Sequence, residues 1–231
     1  MPGRLDELSS SYGLKERQRD QLAALLALIA QDDRAPTTVR DPDLAVDVHL
    51  ADSLVALDLG PVRDAKSIAD VGSGAGFPGL ALAAARSECD VCLVESQSRK
   101  CGFMKDLLAQ VEISNARVIC ARAEDWSDGI GANDLVVARA LGPQAVVLEY
   151  AAPLLRLGGA LVDWRGTRIP AEEQRAAGAA DELGLALVGV QRVEPFKGAR
   201  DRHLHVYTKV RETPAKFPRR TGMARKRPLG S

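Results

Sequence analysis

The 231-residue sequence predicts an α/β fold, a doubly wound seven-stranded sheet behind an N-terminal helical extension. Three observations carry that prediction. An apolar strand runs into a glycine-crowded turn at 67–79, strand and helix patterns alternate from there onward, and the apolar spacing before residue 60 is helical.

In the first part, Leu22, Leu25, Leu26 and Ile29 recur at helical spacing within 14–31. A second helical pattern starts at Asp41-Pro42, a start signal because the carboxylate caps free amides and proline presets φ. From Ser67 the patterns predict strand 67–71, helix 78–86, strand 90–95, helix 98–110, strands 116–121 and 134–138, helix 143–156 and strand 159–164. The segment L-G-G-A-L-V reads as a glycine helix cap leading into the fifth strand. A helix over 171–184 and strands 185–193 and 203–210 complete the order, the last two closing the sheet as an antiparallel hairpin. The expected organisation is a helical extension over 1–60, a catalytic domain over 61–210 and a basic tail over 211–231.

The turn S-I-A-D-V-G-S-G-A-G-F-P-G is the most telling stretch. Glycines 72, 74, 76 and 79 let the backbone approach a ligand closely, and Glu95, 23 residues beyond Gly72 at the next strand's tip, is placed to accept hydrogen bonds from ribose hydroxyls. The ligand is therefore expected to contain adenosine. One register fits the dinucleotide pattern G-x-G-x-x-G, which supports a nucleotide-dependent oxidoreductase as the rival reading. A diphosphate wants helix N–H donors, however, and here Pro78 removes one, Phe77 crowds the helix entrance and Asp70 adds negative charge. A cation suits that setting better. S-adenosylmethionine carries a sulfonium and an ammonium without phosphate, and D-V-G-S-G-A-G resembles the first motif of Rossmann-like class I methyltransferases.

Composition narrows the setting. No stretch approaches the roughly 20 apolar residues of a membrane span, and M-P-G-R-L-D-E-L has no signal-peptide core, so a cytoplasmic protein without membrane contact is expected. Cys89-x-x-Cys92 lacks a second ligand pair, and Cys92 falls inside a predicted buried strand, so no metal is expected. The net charge of zero hides an asymmetry: residues 191–231 hold twelve Lys and Arg against three Asp and Glu, leaving a net −9 for the rest. That tail is expected to lack a core of its own. A solvated tail and an arm for nucleic-acid phosphates both account for it.

Residues just past the strand ends are the functional candidates. Beyond Gly72 to Phe77 and Glu95, these are Ala123, Glu124 and Asp125, then Arg139, then Arg165 beside Trp164. Glu124 is placed to accept from an adenine amino group, or to cap a helix. The fourth strand is followed by none of the N/D-P-P-Y/F residues that hold an exocyclic amine, and no Pro-Cys pair offers a nucleophile for pyrimidine C5. The acceptor is thus expected to be nucleophilic already, as guanine N7 is, and alignment carries the catalysis. Arg139 suits that task, stacking on a base or holding guanine O6, or it pairs structurally with Glu95 or Asp70.

In order along the chain, H-L-A-D-S at 49–53, D-V-G-S-G-A-G-F-P-G, E-S-Q-S-R-K-C-G-F, A-R-A-E-D, V-A-R-A and R-H-L-H-V-Y-T-K resemble the RsmG (glucose-inhibited division protein B) family of 16S ribosomal RNA guanine-N7 methyltransferases. The resemblance covers about 35–229. It implies methyl transfer from S-adenosylmethionine to a guanine in the 530 loop, with 16S ribosomal RNA or the small ribosomal subunit as partner. It implies cofactor contacts at Gly72, Phe77, Ala123, Glu124 and Arg139, which join Gly74 and Glu95 from the turn itself, and RNA contacts from Arg99, Lys100 and Arg165. Arg139 is the expected catalytic residue and a monomer the expected state. Two departures stand out: Arg165-Gly166 replaces a usual Lys-Gly, and Val48-His49 a usual Arg-His. A non-enzymatic RNA-binding module is the remaining alternative.

Overall fold

The computed structural model describes residues 2–230. Helices α1 (Pro2–Ser11) and α2 (Glu16–Gln31) lead into a chain of short helical turns: α3 (Pro42–Ala45), a π-helical turn (Val46–Ala51), α4 (Asp52–Leu54), a 3-10 turn (Val55–Asp58) and α5 (Gly60–Asp64). The Asp-Pro signal works as the sequence predicts, with the Asp41 side chain accepting from the Leu44 N–H at 2.8 Å. The continuous second helix does not form. Its middle widens into the π turn that carries His49, a feature common at functional sites.

Seven strands follow in the order β3-β2-β1-β4-β5-β7-β6: β1 (Ser67–Val71), β2 (Asp90–Glu95), β3 (Ala116–Cys120), β4 (Asn133–Arg139), β5 (Leu155–Arg165), β6 (Leu185–Val193) and β7 (Arg202–Lys209). The first five are parallel, and β7 lies antiparallel between β5 and β6. Helices α6 (Gly79–Ala85), α7 (Ser98–Val111), α8 (Gln144–Leu154) and α9 (Pro170–Leu183) cover the two faces. Because successive strand side chains alternate, Ile68 joins α2, α6 and α7 in one core while Ala69 and Val71 join α8 and α9 in the other. The sheet winds from β1 toward β2 on one side and toward β4 on the other, leaving a crevice at their carboxyl ends.

Two sequence readings are corrected. The L-G-G segment is not a helix cap: α8 ends at Leu154, its cap is Leu155, and Gly158 takes its positive φ of 80° inside β5. The basic tail is packed rather than coreless, since Phe217 and Ala224 are buried against the α8 side of the sheet and Met223–Lys226 forms a short helix, α10. Cys89 and Cys92 are free and buried, as the strand pattern predicts for Cys92, with burial pushing the Cys89 thiol up to about 11. Cys101 of α7 and Cys120 of β3 form a disulfide.

Candidate functional site

The glycine turn is shaped first by the protein's own packing. A Cβ at Gly79 would stand 2.4 Å from Leu93 Cδ2 and 2.6 Å from Asp70 Oδ2, so this position lets α6 approach the sheet closely. At Gly72, φ is +75° and a Cβ would meet Leu141 Cδ1 at 2.4 Å. Asp70 is 1% exposed and accepts the Gly79 N–H at 2.9 Å. The first free amide of α6 is therefore already taken by a carboxylate, and the site a diphosphate would use is closed. Burial pushes Asp70 up to about 6. Asp70 thus caps a helix beneath the turn, and its Oδ1 is buried with no hydrogen-bond partner among the described residues.

Two grooves open at the strand ends. The first, about 320 Å³, lies over β1, β2 and the β3 exit and is lined by Gly72, Glu95, Lys100, Ala123, Glu124 and Leu141 among others. Glu95 is held rigidly at its edge: Oε1 accepts the Ser96 and Gln97 N–H groups at 2.7 and 2.9 Å, and Oε2 accepts that of Gly74 at 3.2 Å. Lys100 Nζ is 3.8 Å from Glu95 Oε2, placing this lysine at the first groove. Carboxylate oxygens accept two bonds each, so Oε1 is filled and Oε2 retains capacity for one ribose hydroxyl. Glu124 Oε1 accepts from Gly222 of the tail at 3.0 Å. The groove thus combines acidic acceptors at two points with apolar walls at Val71 and Leu141.

The second groove, about 460 Å³, lies at the ends of β4 and β5 against the π turn, lined by His49, Asp52, Arg139, Trp164, Arg165 and Arg202 among others. Arg139 donates to Asp52 Oδ2 at 2.7 Å and to the Val48 carbonyl at 3.2 Å. Its acidic partner is thus Asp52, not Glu95 or Asp70. Asp52 also lies 3.4 Å from Arg202 Nε and accepts the Trp164 indole N–H on its carbonyl at 2.7 Å. Phe77, 5% exposed, stacks on His49 with centroids 4.8 Å apart and planes 1° from parallel, and the Arg139 guanidinium stands 6.0 Å from its centroid. His49 Nε2 pairs with Thr37 Oγ1 at 3.1 Å rather than with Asp52. Burial first, then Arg139, lowers its pKa to about 4, so the imidazole is neutral at pH 7.

Ala140 borders both grooves and holds φ at +54°, an uncommon value for a residue with a side chain. Of the residues singled out from sequence, Gly72, Glu95, Lys100, Ala123 and Glu124 line the first groove, and Arg139 and Arg165 line the second. Gly74 and Phe77 stand outside both linings; Gly74 reaches the first only through Glu95, and Phe77 supports the second through His49. Arg165 is engaged by the Gly142 carbonyl and by Glu172, and Arg99 is exposed on the first turn of α7. Asp52, Arg202, Tyr150 and Arg225 were missed as site residues. Asp52 belonged to the H-L-A-D-S motif, yet its partner is 87 positions away and no local spacing announces it.

Residues 18–204 match the model of the family rRNA small subunit methyltransferase G. The chain belongs to this family. A ribosomal RNA small subunit methyltransferase G of Roseiflexus castenholzii is 38% identical over 240 residues, covering 97% of this chain and all of the relative. The corresponding protein of Syntrophomonas wolfei is 39% identical over 183 residues, 78% of this chain and 85% of its own length. Among solved structures, a precorrin-6y C5,15-methyltransferase of Geobacter metallireducens superposes with a TM-score of 0.55 at 16% identity, covering 79% of this chain and 98% of that one. Aeropyrum pernix fibrillarin, solved with natively bound S-adenosyl-L-methionine, gives 0.54 at 22% identity, covering 69% and 74%. These two likenesses concern the class I methyltransferase fold.

Proposed function

We propose that this protein transfers a methyl group from S-adenosylmethionine to N7 of a guanine in small-subunit ribosomal RNA, at the 530 loop that the family resemblance implies. The observation carrying this reading is that the groove edged by Glu95 and Glu124 and the groove lined by Arg139, Arg165 and Arg202 share Ala140 as a border. When bound, S-adenosylmethionine supplies a methyl carbon on a positively charged sulfur, and guanine N7 accepts it with a lone pair and no proton to lose. The chain then has to orient rather than deprotonate.

Glu95 and Glu124 anchor the adenosine, while Asp70 holds α6 beneath the glycine turn. Arg139 is held by Asp52 and the Val48 carbonyl, so its planar guanidinium is fixed where the base enters. Neutral His49 backs Phe77 and keeps the wall of the second groove in place. Trp164, 6% exposed, braces Asp52 instead of stacking freely on a base. Arg99 and Arg165 are assigned to RNA phosphates, while Lys100 serves the cofactor side.

This reading places the protein in the cytoplasm as a monomer, with 1–60 as the helical extension, 61–210 as the catalytic domain and 211–231 as the tail. No helix among the described residues is long and apolar enough to cross a membrane. The test is transfer of tritiated methyl to small-subunit RNA from cells lacking this activity, followed by strand cleavage specific for N7-methylguanine. Label at one cleavable guanine is expected. Label resistant to that cleavage would contradict N7, and no label on naked RNA or subunits would contradict the activity.

A further inference from the structure

The C-terminal segment lies beyond the matched residues 18–204 and carries a cluster of cations. Its charge alone suits an arm for phosphates, but its contacts lead elsewhere. Arg219 makes two hydrogen bonds to Glu149, at 2.6 and 2.5 Å, and Glu149 is 2% exposed. Phe217 is buried in the same core as Val71 and Ala123. Swinging this segment free would strand a buried carboxylate and uncover a ring.

Past that anchor the chain runs to the first groove. Thr221 Oγ1 donates to Asp125 Oδ1 at 2.6 Å, the Gly222 N–H to Glu124 Oε1 at 3.0 Å, and Arg225 Nη2 to the Leu141 carbonyl at 3.0 Å. Arg225 itself lines the groove. Leu141 is the residue packed over Gly72, so the tail holds both the acidic acceptor and the roof of the glycine turn.

We propose that the C-terminal segment is a wall of the cofactor groove and that Arg225 is a cofactor-binding residue that contacts the adenosine. A guanidinium is planar and weakly hydrated, which suits it to the face of adenine. The exposed Arg220, Lys226 and Arg227 are left for RNA. This inference rests on the reading that the first groove takes S-adenosylmethionine, and wild-type protein tests that reading separately.

Calorimetry on the full chain measures Kd for S-adenosylmethionine and S-adenosylhomocysteine in wild type, Arg225→Ala, Arg225→Lys and Lys226→Ala. Wild-type saturation by both supports the underlying reading; no binding by wild type would overturn that reading. Given wild-type binding, Arg225→Ala is expected to raise both Kd values by roughly tenfold, because adenosine is common to the two ligands. Arg225→Lys should recover only part of the loss, and Lys226→Ala, which removes the same charge one position on, should leave both unchanged. Unchanged cofactor affinity in Arg225→Ala, or equal weakening in Lys226→Ala, overturns the assignment and returns the segment to a general electrostatic role.

Discussion

In the proposed function Arg139 aligns the acceptor base, and its setting separates two consequences of losing it. Arg139→Ala is expected to lower methyl transfer at least about 100-fold, because a small misplacement of the base suffices for that. It should also destabilise the fold by roughly 2–3 kcal/mol, since Asp52, 6% exposed, is left with Arg202 as its one ion-pair partner among the described residues. Asp52→Asn keeps the shape while weakening the hold on Arg139, so kcat should fall with little change in the Kd for S-adenosylmethionine. Single-turnover rates beside calorimetry check both. His49 gives a pH signature. Its folded pKa is lowered to about 4 from 6.5, so between these values the unfolded chain takes up the proton and stability falls as pH drops. Urea unfolding at pH 7.5 and 5 should show His49→Asn losing less stability on acidification than wild type. An equal loss would mean that His49 titrates normally. At this scale the sequence made Glu95 and Arg139 readable from their places after strands, whereas the Asp52–Arg139 and Glu124–Gly222 pairs join positions 87 and 98 apart. Such pairs are set by topology, which local patterns do not encode.

Among the elements, the β1 turn and α6 form one unit whose glycines answer to packing as much as to ligand. Gly79→Ala places a methyl within 2.6 Å of both Leu93 and Asp70, and should destabilise by about 1–3 kcal/mol while displacing the Asp70 cap. Thermal unfolding of the variant checks this, and an unchanged midpoint would show that α6 has room to shift. The Cys101–Cys120 disulfide links α7 to β3, closing a separation of 19 residues, and should contribute about 3 kcal/mol in the chain-entropy account. Cys120 is exposed, so treatment with a dithiol should lower the denaturant midpoint, and no shift would place the thiols apart in solution. Strand periodicity was plain in sequence because both cores read it out residue by residue. The π turn at 46–51 was not, since its apolar spacing is the same as an α-helix's to within one residue. The L-G-G cap was misread because Leu155, not glycine, ends α8.

Over the whole molecule, the helical extension, the sheet and the tail converge on one crevice: the extension supplies His49 and Asp52, the strand ends supply Glu95 and Arg139, and the tail supplies Arg225. The order of strands and helices from Ser67 was legible because each element carries its own period, and it places the crevice by topology alone. The return of the tail across the molecule was not legible, because its composition is that of a solvated segment and the side chains that hold it, Phe217 and Arg219 foremost, meet partners far away in sequence. The central claim is that the crevice takes a sulfonium compound, the amide that would serve a diphosphate being occupied by Asp70. Titration calorimetry of the full chain with S-adenosylmethionine and, separately, with NADH tests it most directly. Saturable heat with the first and none with the second is the predicted result; saturation by NADH with silence from S-adenosylmethionine would contradict it.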